Sequence, residues 1–293
     1  MDFGNVLTAM VTPFDHKGNI DFTKTEKLVE YLIENGSDGL VIAGTTGESP
    51  TLTKEEKVAL FKHVVKIVNK RVPVIAGTGS NNTHASIELT KQAEAAGVDA
   101  VMLVAPYYNK PNPQGIYLHF KSIAESTNLP VMLYNVPGRS IVNMTVDTIV
   151  RLSEVDNIVC VKEASGDLEQ ITEIITKTSD DFKVYSGDDG LTLPTLAVGG
   201  DGIVSVASHV IGNEMQSMIA AYRQGDVKTA AEWHRKLLPV MNEMFSAPSP
   251  TPVKTALQII GVDVGGVRLP LVPLSEQERV RLTSLMNGFS RVK

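Results

Sequence analysis

The stretch IVCVKEA, residues 158–164, runs through apolar, mostly β-branched residues and then reaches a lysine. Lysine is among the side chains least often buried. A lysine at the end of a strand that reads as fully buried is therefore a chemical question. Strand alternation puts Ile158, Cys160 and Lys162 on one face and Val159, Val161 and Glu163 on the other. If the lysine face points into a cavity, loss of water lowers the amine pKa. A neutral amine can attack a ketone and form a Schiff base. The plainer account is a rim ammonium paired with a carboxylate such as Glu163, and the strand by itself favours that account.

Other reactive types stand at the ends of similar apolar runs. Tyr134 closes PVMLYN; its phenol would either shuttle protons or plug an apolar core. The segment GTTGE brings backbone N–H groups and the hydroxyls of Thr45 and Thr46 just ahead of a helix. It is either a cradle for a small carboxylate or a glycine-rich connection. Arg139, after NVPG, is either a fork for a carboxylate or a surface arginine. Tyr107 and Tyr108 lie in a proline-rich loop able to pack in several ways, a subunit contact included. The histidines, at 16, 63, 84, 119, 209 and 234, show no metal-ligand spacing. Asp188 and Asp189 are explained better as helix caps than as cation ligands. There is no nucleotide-binding fingerprint and no G-x-S-x-G elbow.

These residues need a scaffold. GSDGLVIAG from Gly36, GVDAVMLVA from Gly97 and GGDGIVSVA from Gly199 repeat one device: a glycine ending a helix, an aspartate turn, then a buried strand. Further strands are expected at 6–12, 72–77, 130–135, 158–163 and 183–187. Their continuous apolar runs suit parallel strands covered on both faces. Helical segments lie between them. Thr23 with Glu26, and Thr53 with Glu56, have capping-box spacing. Leu28, Val29, Leu32 and Ile33 form one stripe, and Leu168, Ile171, Ile174 and Ile175 another. Eight alternations within about 225 residues predict a (β/α)8 TIM barrel, with a doubly wound sheet as the alternative. After Tyr222 the strand signal stops. Residues 1–225 are thus expected to form the catalytic barrel and residues 226–293 a C-terminal helical region. In such barrels the working residues sit at the C-terminal strand ends, where the unusual residues cluster here.

Bulk properties narrow the partners. The 293 residues are 43% hydrophobic and 20% charged, with a formal net charge of -6 and no long run of one sign. That argues against nucleic acid or an anionic membrane as the main partner. No apolar run approaches the roughly 18 residues of a membrane span. The start, MDFGNVLTAMVTPF, has no basic region ahead of an apolar one, so no secretory leader is expected. A single cysteine, Cys160, excludes an internal disulfide. A cytoplasmic location is the simplest expectation.

Taken together, GTTGES, PYYNKP, YNVPGR, VKEASGD and SGDD resemble the pyruvate-dependent class I aldolases, in order and spacing over nearly the whole chain. This family includes the N-acetylneuraminate lyases and the dihydrodipicolinate synthases. Arg139 and the Thr-Thr pair are similar to the synthase branch; the lyases generally lack that arginine and typically have Ser-Thr. The resemblance implies roles. Lys162 matches the lysine that captures pyruvate as a Schiff base. Tyr134 matches the proton donor and acceptor, with Thr45 and Tyr108 as relay partners, the latter from a neighbouring subunit. Thr46 and Gly187 match substrate-binding positions, and Val204 a main-chain contact to pyruvate where isoleucine is commoner. Arg139 matches the group receiving the carboxylate of L-aspartate 4-semialdehyde.

The implied reaction joins pyruvate to that semialdehyde to give 4-hydroxy-tetrahydrodipicolinate, at the branch towards diaminopimelate and lysine. The iminium is itself the electron sink, so no cofactor and no metal are expected. A homotetramer built as a dimer of dimers is implied. The alternatives are a related lyase acting on a sugar acid and a barrel that binds a small carboxylate without catalysis. Lysine-inhibited relatives tend to carry histidines after the threonine loop and a glutamate near the strand-3 loop. Here Lys54, Lys57 and Ala85 hold those places, while Asn81 and Tyr107 remain. Weak or absent lysine feedback is expected.

Overall fold

The computed structural model describes residues 3–290. Eight strands, each hydrogen-bonded in parallel to the next, close into a barrel when β8 pairs with β1. The strands are β1 (Val6–Ala9), β2 (Gly39–Ile42), β3 (Val74–Gly77), β4 (Ala100–Val104), β5 (Val131–Asn135), β6 (Ile158–Glu163), β7 (Lys183–Ser186) and β8 (Gly202–Ser205). Between them run α1 (Phe22–Glu34), α2 (Lys54–Val68), α3 (Thr83–Ala96), α4 (Pro113–Ala124), the short α5 (Pro137–Ser140), α6 (Val146–Ser153), α7 (Leu168–Lys177) and α8 (Thr192–Ala197). Helix α9 (Ser208–Arg223) follows β8. Closure decides against the doubly wound sheet. Beyond the turn at Gly225 come α10 (Val227–Glu243), α11 (Thr251–Ile259) and α12 (Glu276–Ser290). Helix α10 lies along α9, and Leu237, Val240 and Met241 join the same apolar layer as the barrel helices.

The aspartates of the repeated glycine-aspartate device bind neighbouring strands. Asp38 accepts from the Asn5 and Val6 N–H groups at the start of β1, at 2.6 and 3.0 Å. Asp99 accepts from Val74 N at 2.9 Å and Asp201 from Val184 N at 2.8 Å. Each aspartate leading into β2, β4 or β8 thus satisfies an N–H in the first two residues of the neighbouring strand β1, β3 or β7. The preceding glycines, Gly36, Gly97 and Gly199, all have positive φ, which lets the chain leave the helix sharply.

Some expectations shift on contact with the structure. Helix α1 is capped by Asp21, which accepts from Lys24 N, and not by Thr23. The box of Thr53 and Glu56 on α2 is present as expected. Strand β1 stops at Ala9, short of the expected residue 12, and the Val11 N–H turns to His209 Nε2. In β6 the pairing jumps from Val131–Ile158 to Met132–Cys160, leaving Val159 as an extra residue. Ile158 therefore faces the helices, while Cys160 faces the barrel interior. Unbroken alternation from Ile158 is wrong, but it places Lys162 correctly because the bulge precedes Cys160.

Two apolar layers result. An outer one lies between strands and helices. An inner one, including Leu7, Val41, Ile75, Met132, Cys160 and Tyr185, fills the barrel. The seam closing the barrel is tight. A Cβ on Gly202 would lie 2.2 Å from the Asn5 carbonyl oxygen, the same oxygen that accepts from Ile203 N at 2.9 Å. Gly202→Ala is expected to cost about 2–3 kcal/mol in urea unfolding. A loss within measurement error would show that the seam is looser than described.

Candidate active site

Lys162 and Tyr134 are register partners across β5 and β6, so both side chains enter the barrel mouth at one level. Lys162 is buried, and its Nζ lies 4.3 Å from the centre of the Tyr134 ring. Burial pulls the amine pKa down to about 8; Asp189 works against this and Arg139 with it. The ring face is a weak stabiliser of the remaining cation. The rim pairing with Glu163 does not occur. Glu163 points the opposite way, as alternation requires, and accepts from Asn135 Nδ2 at 3.0 Å, Ser165 N at 2.8 Å and Gln170 Nε2 at 3.2 Å. Burial raises its pKa, and these hydrogen bonds oppose the rise.

Tyr134 is also buried, which raises its pKa; Arg139 and a side-chain hydrogen bond from Thr45 oppose the rise. Thr45, Tyr108, Tyr134 and Arg139 line one cavity of about 380 Å³. Elements far apart in sequence therefore deliver the residues expected to act together. Lys162, behind the Tyr134 ring, and Thr46, Val204 and Gly187 lie off that lining. Thr46 is buried in the turn after β2, and Val204 shares the inner layer with Tyr134. Gly187 touches the lysine: a Cβ there would meet Ala164 Cβ at 2.6 Å and Lys162 Cε at 3.0 Å. Its hydrogen atom is what leaves room for the Lys162 chain.

Tyr108 stands at the cavity edge with a positive φ of 72° and 87% exposure. A left-handed tyrosine costs about 1–3 kcal/mol. Its loop is held by Asn81 Nδ2 donating to the Tyr107 carbonyl and Asn109 Nδ2 donating to the Asn81 carbonyl. Lys57 of α2 reaches the same cavity, where burial lowers its pKa. Its neighbour Lys54 turns instead to Glu88 on α3, at 3.0 Å. Among the described residues the cavity wall thus carries two cationic residues, Lys57 and Arg139, and no acid.

Two features escape the sequence. Asp188 caps the turn after β7 by accepting from Gly190 N, as expected. Asp189 does something else: it is buried and accepts from Ser205 Oγ and from the Val206 and Ala207 N–H groups before α9. Its pKa is pushed up to about 6 by burial. Two adjacent aspartates carry no signal separating a cap from a buried anion. The second is Glu48, the last residue of GTTGE, which pairs in the interior with Lys254 of α11. The histidines support packing: His209 bridges Val11 and Val206, and His119 bonds to Thr83.

The model of the dihydrodipicolinate synthetase family matches residues 2–288. The chain belongs to that family. A 4-hydroxy-tetrahydrodipicolinate synthase from Bacillus velezensis is 64% identical over 287 residues, 98% of this chain and 99% of that protein. The crystal structure of a dihydrodipicolinate synthase from Bacillus anthracis is 70% identical, with a TM-score of 0.97 and 98% of each chain covered. A dihydrodipicolinate synthase from Cyanidioschyzon merolae, solved with lysine bound, is 46% identical at the same TM-score and coverage. The family is one of TIM-barrel lyases, so the second alternative, a non-catalytic binder, falls away.

The contact between Gly187 and Lys162 is open to test. Gly187→Ala is expected to destabilise the protein by about 1–3 kcal/mol, because the added Cβ would crowd Ala164 Cβ at 2.6 Å and the Lys162 stem at 3.0 Å. It should also move the pH midpoint of Lys162 labelling by an amine reagent away from about 8. Wild-type stability with an unmoved midpoint would contradict the contact.

Proposed function

We propose that this chain condenses pyruvate with L-aspartate 4-semialdehyde to give 4-hydroxy-tetrahydrodipicolinate. The observation that carries the proposal is the buried Lys162 amine, its pKa drawn to about 8, set against the Tyr134 ring. An amine of ordinary pKa is almost wholly protonated near neutrality and is a poor nucleophile. Desolvation makes a useful fraction neutral without removing the lysine from its pocket.

The steps follow from that amine. The Lys162 nitrogen adds to the pyruvate ketone, and loss of water leaves an iminium. The iminium acidifies the adjacent methyl, which gives up a proton to form an enamine. The enamine carbon attacks the aldehyde and makes the new C–C bond. The amino group of the second substrate then attacks the former ketone carbon, closes the ring and releases Lys162. Tyr134 carries protons in these steps, with Thr45 and the Tyr108 of a neighbouring subunit as its relay. Thr46, Gly187 and Val204 hold pyruvate. Arg139 receives the carboxylate of the semialdehyde, a pairing its planar fork favours.

The acid-free cavity wall supports substrates that both carry carboxylates. A homotetramer, arranged as a dimer of dimers, belongs to the same proposal, and the exposed, strained Tyr108 supports it. So does a cytoplasmic location. Among the described residues no helix is long and apolar enough to cross a membrane.

Borohydride reduction in the presence of pyruvate tests the chemistry. A stable adduct is expected on Lys162 by peptide mass spectrometry, forming faster as pH rises and levelling off above about 8. A folded protein that yields no adduct would end the proposal. Feedback gives a second test. Lys57 places a cation on the cavity wall, and Ala85 supplies no acid. Free lysine at sub-millimolar concentration is expected to leave the initial rate unchanged; tight inhibition would contradict this.

A further inference from the structure

The threonine loop is gripped from the far end of the chain. Glu48 lies within the connection from β2 to α2 with φ 57°, a left-handed backbone that a non-glycine residue adopts only when its surroundings hold it there. Its carboxylate is out of water. One oxygen lies 2.7 Å from Lys254 Nζ, with side-chain exposures of 1% and 3%. The other accepts from the Arg268 N–H at 2.9 Å. Lys254 is fixed in turn by the Gly266 carbonyl at 2.7 Å and the Phe14 ring at 4.2 Å. The Arg268 guanidinium donates to the carbonyls of Gly18 and Thr51 and to both oxygens of Glu56. Residues of the C-terminal region thus hold both ends of this connection.

The connection carries Thr45. The Thr45 carbonyl accepts from Glu48 N at 3.0 Å, and the Gly44 carbonyl accepts from Ser49 N at 3.2 Å. Thr12 Oγ1 donates to the Gly47 carbonyl at 2.6 Å. Two residues, Thr46 and Gly47, therefore separate Glu48 from Thr45, whose hydroxyl bonds to Tyr134, and the chain between them is held by the Glu48 N–H and the Thr12 hydroxyl. A buried ion pair is a poor device for stability alone, since an apolar pair of similar volume often serves as well. What it does supply is a fixed register between two segments.

We propose that Glu48 and Lys254 are positioning residues for the proton relay. Through this ion pair the C-terminal helices hold the loop so that the Thr45 hydroxyl meets the Tyr134 phenol. The inference rests on the aldolase reading above, and the borohydride adduct of the wild-type enzyme tests that reading separately.

The test is a cycle of four proteins: wild type, Thr45→Val, the pair Glu48→Gln with Lys254→Met, and all three changes together. The pair variant removes both charges at once and leaves neither buried alone. It is expected to melt near the wild type, to keep its KM for pyruvate within about twofold, and to lose about tenfold to a hundredfold in kcat, as misplaced catalytic groups do. Thr45→Val should then cost far less in the pair variant than in the wild type, because the hydroxyl is already misaimed. Wild-type kcat in the pair variant, or an equal cost of Thr45→Val in both backgrounds, would overturn the inference. Should the pair variant not fold, Glu48→Asp shortens the reach but keeps the charge. It is expected to lower kcat and to weaken the Thr45→Val effect, and wild-type kcat there would overturn the inference equally.

Discussion

The site depends on one unfavourable act: holding the end of the Lys162 side chain away from water. An ammonium in such a place costs free energy, and the protein meets this by letting the amine lose its proton more easily. Every neighbouring feature serves that condition. The inner layer beneath it is apolar. Tyr134 covers it with a ring face, and Gly187 leaves it room. Glu163, which would neutralise it at once, is turned outward by strand alternation and occupied by Asn135, Ser165 and Gln170. Asp189 is a buried anion whose field reaches the amine, and it keeps the pKa from falling further.

Closure of the barrel makes that isolation possible. An open sheet would leave the end of β6 facing a crevice, whereas a closed ring surrounds it with seven other strand ends. Closure also explains the glycine-aspartate repeat, whose aspartates satisfy strand N–H groups on the face opposite the site. One end of the barrel is thus bound by regular polar contacts, and the other is free to carry loops of individual character. The C-terminal region extends the arrangement: α10 and α11 lie against α9, and Lys254 of α11 and Arg268 beyond it reach the threonine loop.

Much of this was legible in the residues. Local rules suffice for the box of Thr53 and Glu56, for the apolar stripes of the helices and for the strand IVCVKE, because each depends on neighbours within a few positions. They fail where a distant group competes. Thr23 lost the cap of α1 to Asp21, two residues earlier. Val11 left β1 because His209, almost two hundred residues away, takes its N–H. The bulge at Val159 arises from register with β5, which no period within β6 encodes.

By itself the sequence determined the eight alternations, the reactive residues at the strand ends and, through its motifs, the family. It left Lys162 open between a surface pair and a buried amine, because alternation states which face a side chain takes and not what lies opposite. Only the closed barrel decided that question, by setting Tyr134 and Gly187 beside the lysine and turning Glu163 away. The same is true of Asp189 and of Glu48 with Lys254. Burial and charge partnership belong to pairs of groups, and the chain brings those pairs together only when it folds.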